Sequence, residues 1–186
     1  RLGIGYEDLK AVNPNLIYVS ISGYGPDGPD SGHRVYDNVI QAASGLASVQ
    51  TDPRNGEPSL FRTLLCDKVT SLTAAQAISS ALYARAAGNA DGQHIVLAML
   101  DAAVSFMWPD SGMDAVLLDD DANRTPTIGQ NYGITRLKDG FAAVAVVSDS
   151  EFKGLCHTYG RPDLAEDERF ATMAGRTMNA SELVPL

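Results

Sequence analysis

Residues 67–101 read DKVTSLTAAQAISSALYARAAGNADGQHIVLAMLD, and a change of period inside them decides the fold class. Asp67 is of a type that caps helix starts, and Val69, Leu72, Ala75, Ile78 and Leu82 follow at helical spacing. A helix is therefore predicted from Asp67 to about Ala87-Gly88. Asp91-Gly92 marks a turn, residues 94–100 a strand, and Asp101 a second N-cap before an apolar helix through Trp108. Working outward, residues 15–22 (NLIYVSIS) are β-branched and aromatic and read as another strand. Between the strands lie a Gly/Pro loop over residues 23–32, an Ala-rich helix over 36–49 and a polar turn over 51–59. Residues 61–66 then form a short strand or extended approach. Strand and helix alternating in this way predict an α/β architecture.

At the flanks, Glu7-Asp8-Leu9-Lys10 reads as the middle of a helical turn. Downstream the composition shifts, with five aspartates in residues 110–121 and then Pro126. This reads as a crossing between two domains, with residues 1–110 before a linker over 111–127 and residues 128–186 after it. In the latter, residues 133–136 and 141–147 form a hairpin around Asp139-Gly140, and residues 151–159 form a helix.

The 186 residues are 45% hydrophobic and 20% charged, as in ordinary globular proteins, with a formal charge of −9. That acidity argues against a phosphate-backbone partner, so nucleic acid is not expected. The longest unbroken apolar run, residues 141–147, is far short of the roughly 20 residues of a membrane span, and no membrane partner is expected. Two cysteines, Cys66 and Cys156, give no disulfide framework and fit a cytoplasmic protein.

Most chemical motifs fail on inspection. Gly23-x-Gly25-x-x-Gly28 follows a strand, but Pro26, Pro29 and Gly32 prevent the helix that would present N–H groups to a pyrophosphate. His33, His94 and His157 are scattered, so no metal is expected. Cys66 reads as a buried thiol, and no Gly-x-Ser-x-Gly elbow occurs. Carboxylates at helix starts remain, because an ionised Asp67 or Asp101 could act as a nucleophile. Spacing alone leaves both open, with capping the simpler role for each.

Several ordered stretches carry a resemblance: Asn13 to Gly25 (NPNLIYVSISGYG), Tyr36-Asp37-Asn38, Gln41-Ala42-Ala43-Ser44-Gly45-Leu46, Cys66-Asp67-Lys68 and Gly92-Gln93-His94-Ile95. Further on come Leu100-Asp101-Ala102, Lys138-Asp139-Gly140, and Gly160-Arg161-Pro162-Asp163-Leu164 through Arg169-Phe170. Together the chain resembles the family III CoA-transferases, also called the carnitine-dehydratase/bile-acid-inducible-protein family. The resemblance implies a Rossmann-like large domain and a smaller domain, in chains about twice this length that form interlocked homodimers. Residues 1–110 would then be part of the large domain and residues 128–186 the start of the smaller α+β domain, the whole forming an interior portion.

It further implies that Asp67 is the nucleophile and that Asp101 keeps a capping role. CoA would pass from an acyl-CoA to a carboxylic acid through a mixed anhydride and an aspartyl-CoA thioester. CoA and acyl-CoA would be substrates, with no cofactor permanently bound. Tyr36 stands where the racemases of the family carry a histidine, with His33 three residues away, and a phenol of pKa ~10 is a poor base at neutral pH. The chain thus resembles the formyl-CoA-transferase-like members rather than the racemases. The matching tyrosine of those members lies at the acyl site with a basic position before it, so the resemblance implies that Tyr36 contacts substrate and that Arg34 lies near CoA or the acceptor carboxylate. Residues Ile128-Gly129-Gln130-Asn131 align with a loop covering the intermediate, making Gly129 and Gln130 further candidates. That stretch has fewer glycines than the formyl-transferring members, which points to acids larger than formate or oxalate as equally plausible substrates. The alternatives are an α-methylacyl-CoA racemase or epimerase, and a non-catalytic portion that binds CoA or dimerises.

Overall fold

The computed structural model describes residues 2–52, 54–119, 121–122, 129 and 132–183. It divides into two compact units, Arg1–Gly129 and Gln130–Leu186. Both units mix helix and strand, as the alternating pattern predicts.

The first unit is built on a parallel pair of strands, β1 (Ile17–Ser22) and β2 (Gln93–Ala98), in register from Ile17↔Gln93 to Ser22↔Ala98. Parallel strands need a long crossover. Here it contains α2 (Asp37–Ala43), α3 (Leu46–Val49) and the long α4 (Leu65–Ala86). α1 (Tyr6–Val12) precedes β1 and starts within the chain, where the Asp8 carboxylate accepts from the Gly5 N–H at 3.2 Å. Tyr6 of α1 stacks on His94 of β2 at 4.4 Å between centroids, which holds this helix on the strand pair. Gly92 is required where the chain enters β2, because a Cβ there would lie 2.3 Å from the Pro14 carbonyl oxygen. α5 (Met99–Ser111) follows β2 directly.

Several expectations are corrected. The helix over 36–49 is two helices, because Gly45 adopts φ +90° and turns the chain between α2 and α3. No strand forms over 61–66: residues 61–64 are irregular, bending at Arg62 and Thr63, and Leu65 already begins α4. Asp67 and Asp101 are not N-caps but third residues of their helices, with Leu64 and Ala98 in the cap positions. The donors are satisfied from elsewhere in the fold: Asp37 accepts from the Asp67 N–H (3.0 Å) and the Gly23 carbonyl from the Leu100 N–H (3.0 Å). α5 also runs past Trp108 through Pro109 to Ser111.

The apolar stripe expected along α4 is not its buried face. Leu72 is 72% exposed, and Cys66, Thr70, Ala74 and Ala81 are buried instead. Small residues let this helix approach its neighbours closely, and Thr70 returns its hydroxyl to the Cys66 carbonyl at 2.7 Å. The core here is Ile40, Leu46, Cys66 and Ala103, with Tyr24, Val35, Phe61, Leu65 and Met107 against it.

The second unit opens with an antiparallel hairpin, β3 (Ile134–Arg136) and β4 (Phe141–Ala143), closed by the Leu137 N–H on the Gly140 carbonyl at 2.9 Å. Its second strand is shorter than expected. α6 (Asp149–Thr158), α7 (Pro162–Glu166), α8 (Met173–Met178) and α9 (Ala180–Leu183) follow. Phe152, Cys156, Ala165 and Phe170 form its core. Of the linker expected over 111–127, residues 120 and 123–127 lie outside the described residues, and Met113–Val116 form a 3₁₀ turn. Among the described residues, no helix is long and apolar enough to cross a membrane.

Candidate functional site

A cleft of about 540 Å³ opens where α2, the 61–64 segment and the start of α4 converge. Tyr36, Asp37, Asn38, Gln41, Phe61, Arg62, Thr63, Asp67 and Met99 contribute to its lining. Of the expected site residues, Asp67 and Tyr36 are brought together here. Asp67 is exposed on the first turn of α4, so its carboxylate is open to a ligand and lies near the positive end of the helix dipole. Tyr36 is 75% exposed at the N-cap position of α2, its carbonyl accepting from the Val39 and Ile40 N–H groups.

The remaining candidates lie elsewhere. Arg34 is exposed and not among the lining residues. Gly129 sits where an added Cβ would meet Val49 and Ser111 at 3.9–4.0 Å, also outside the lining. Gln130 lies outside the described residues. Asp101 faces a separate shallow depression with Val104, Ser105, Trp108 and Pro109.

Sequence reading missed the groups that hold Asp67. Asp37, only 6% exposed, accepts from the Asp67 backbone N–H through Oδ2 and from the Gln41 side chain through Oδ1 (2.5 Å). Gln41 is 1% exposed and also bonds the backbone of Phe61 and Thr63. The signal was present: Asp37 and Gln41 are four apart, on one helical face, beside Ile40. Buried polar groups at such spacing need partners, and their partners here are one another and the approach to α4. Arg62 was also missed. It brings a cation to the cleft and forms no ion pair among the described residues.

Cys66 is fully buried next to Asp67. Burial, aided by the negative charges of Asp37 and Asp67, pushes its thiol up to about 11. A neutral, enclosed thiol is no nucleophile, whereas the Asp67 carboxylate beside it is exposed in the cleft. His33 is exposed, pairs with Asp30 at 3.1 Å, and is not among the lining residues.

Comparison with known proteins finds relatives that match nearly the whole chain. The chain is 33% identical to a succinate–glutarate CoA-transferase of Agrobacterium fabrum, over 98% of this chain and 46% of that protein. It is 32% identical to an acetyl-CoA:oxalate CoA-transferase of Acetobacter aceti, over 98% of this chain and 47% of that protein. The chain thus spans about half the length of the curated relatives it matches. A crystal structure of a Mycobacterium tuberculosis protein superposes with a TM-score of 0.81 at 32% identity, covering 99% of this chain and 49% of that one. A CAIB/BAIF family protein of Brucella suis gives 0.73 at 33% identity, covering 98% and 48%. The α/β crossover that delivers an open carboxylate at the head of α4 accompanies a family match running over residues 1–186, and the chain belongs to CoA-transferase family III.

Proposed function

We propose that the complete protein moves CoA from an acyl-CoA to a free carboxylic acid, with Asp67 as the covalent nucleophile. The observation that supports this most is the exposed Asp67 carboxylate in a cleft, on a helix start whose backbone a buried carboxylate holds. In the first step Asp67 attacks the thioester carbonyl, and collapse of the tetrahedral adduct releases CoA thiolate and leaves a mixed anhydride. The thiolate then attacks the aspartyl carbonyl, the first acid departs as its carboxylate, and an aspartyl-CoA thioester remains. An incoming carboxylate repeats these steps in reverse and leaves as the new acyl-CoA. The thioester energy is conserved throughout. Each tetrahedral species needs donors for its oxyanion, a role we assign to backbone N–H groups beside Asp67.

Tyr36 is proposed as a contact for the acyl group. Arg62 is proposed to receive a carboxylate, because a planar guanidinium suits it bidentately. Two relatives are named for the dicarboxylic acids succinate, glutarate and oxalate, and a cation beside the nucleophile favours an acid with a second carboxylate. Arg34, Gly129 and Gln130 remain proposed contacts of the complete protein, which is proposed to be a cytoplasmic, interlocked homodimer. CoA enters as substrate, and no resident cofactor takes part.

The test is Asp67→Ala in the complete protein, with transfer followed by mass spectrometry over a panel of acyl-CoAs and mono- and dicarboxylic acids. Transfer is expected to vanish, and acyl-CoA is expected to leave an adduct on Asp67 only in the unsubstituted protein. Full activity in the variant would exclude Asp67. Racemisation is tested separately, with a chiral 2-methylacyl-CoA in D₂O and no acceptor acid. Tyr36 in the lining, with His33 outside it, predicts no rapid deuterium uptake at Cα.

A further inference from the structure

We infer that Gln41 is a positioning residue for the reaction, acting on Asp67 through Asp37 and through the 61–63 backbone. This inference rests on the reading of Asp67 as nucleophile.

Gln41 Nε2 reaches three acceptors: Asp37 Oδ1 at 2.5 Å, the Thr63 carbonyl at 3.1 Å and the Phe61 carbonyl at 3.2 Å. Its Oε1 accepts from the Phe61 N–H at 2.9 Å. Two N–H hydrogens are therefore shared among three oxygens, and the side chain is saturated. Such a buried and fully used amide has one orientation available.

That orientation governs the approach to the nucleophile from two sides. Through Phe61 and Thr63 it anchors the bent segment that becomes α4 two residues later. Through Asp37 Oδ1 it turns the other carboxylate oxygen, Oδ2, onto the Asp67 N–H at 3.0 Å. The Leu65 N–H on the Thr63 carbonyl, 2.8 Å, completes the link from clamp to helix start. Asp67 itself makes no use of its carboxylate as a cap, so the group stays open while its backbone is held. Gln41 thus sets where Asp67 stands while leaving the reacting atoms to Asp67 and the substrates.

The experiment uses Gln41→Met in the complete protein, which keeps side-chain length and removes every hydrogen bond. Small displacements of a reacting group cost up to roughly 100-fold in rate, so kcat is expected to fall roughly 10–100-fold. The KM for acyl-CoA should move by less than about 3-fold, because ground-state binding is untouched. The covalent adduct on Asp67, followed by rapid quench and peptide mass spectrometry, should form more slowly by the same factor. Adduct formation and kcat at the unsubstituted rate in folded Gln41→Met would overturn the positioning role. Should Gln41→Met fail to fold, Asp37→Asn opposes its amide to that of Gln41 while keeping an oxygen for the Asp67 N–H, and the same kcat loss is expected. An adduct on a residue other than Asp67 in the unsubstituted protein overturns the nucleophile reading, and the inference with it.

Discussion

Cys66 and Asp67 are adjacent in the chain and opposite in chemistry, because the helix turns one inward and the other outward. Cys66 meets Ile40, Leu46 and Ala103 in the core, whereas Asp67 meets the cleft. With its thiol raised to about 11, Cys66 is expected to resist iodoacetamide at pH 8 and to react fully once the chain is unfolded in urea. The linkage follows from the sign of the shift. The folded thiol holds its proton longer than the unfolded one, so this contribution to stability is intact below the ordinary thiol value and is lost as pH rises through about 11. Arg62 supplies a second prediction at this scale. Arg62→Met is expected to raise the KM of the complete protein for dicarboxylic acceptors by roughly 10-fold or more, given the strength of charge-assisted pairing, with monocarboxylic acids affected less. Equal KM values for the two acid classes in variant and parent would remove Arg62 from acceptor recognition.

At the scale of elements, helix starts show how far local chemistry reaches. α6, expected from residue 151, begins two residues earlier at a wholly local cap: Ser148 Oγ accepts from the Glu151 N–H, and the Glu151 carboxylate accepts from the Ser148 and Val147 N–H groups. Those backbone donors hold the Glu151 carboxyl below its ordinary value, so its support is present above that value and lost as pH falls through the lowered one. Ser148→Ala is expected to cost about 1 kcal/mol, read as a lowered urea midpoint for the second unit at neutral pH. α4 and α5 begin differently. Their donors go to Asp37 and to the Gly23 carbonyl, groups 30 and 77 residues away in sequence. Local capping rules therefore placed Asp67 and Asp101 at the cap, three positions too early relative to their helices, although both helices were correctly foreseen. Gly45 broke the helix over 36–49 for a local reason, its positive φ, that glycine permits without announcing.

At the scale of the whole molecule, the described residues bury a modest core and leave much apolar surface open. Ile21, Leu72, Tyr83, Val96, Phe106 and Trp108 are all more than 40% exposed. The core that exists is tight, and Ile40 is its fully buried member beside Cys66 and the Gln41 clamp. Ile40→Ala is expected to destabilise the first unit by about 2–5 kcal/mol, measured by urea unfolding, since it removes three methyl or methylene groups from a filled space. A loss below about 1 kcal/mol would mean that the neighbouring side chains collapse into the gap.

By itself the sequence determined the alternation of strands and helices, because periods of two and of 3.6 residues are written locally. It also pointed to Asp67 and Tyr36 through an ordered set of motifs. Tertiary structure alone decided which side of α4 is buried, since close packing selected Thr70, Ala74 and Ala81 over Leu72 and Leu82. It alone showed that Asp37 and Gln41 hold the backbone at Asp67 and that Arg62 shares its cleft. Those relations join residues 20 to 30 positions apart, and no periodicity within one element can express a hydrogen bond made between two of them.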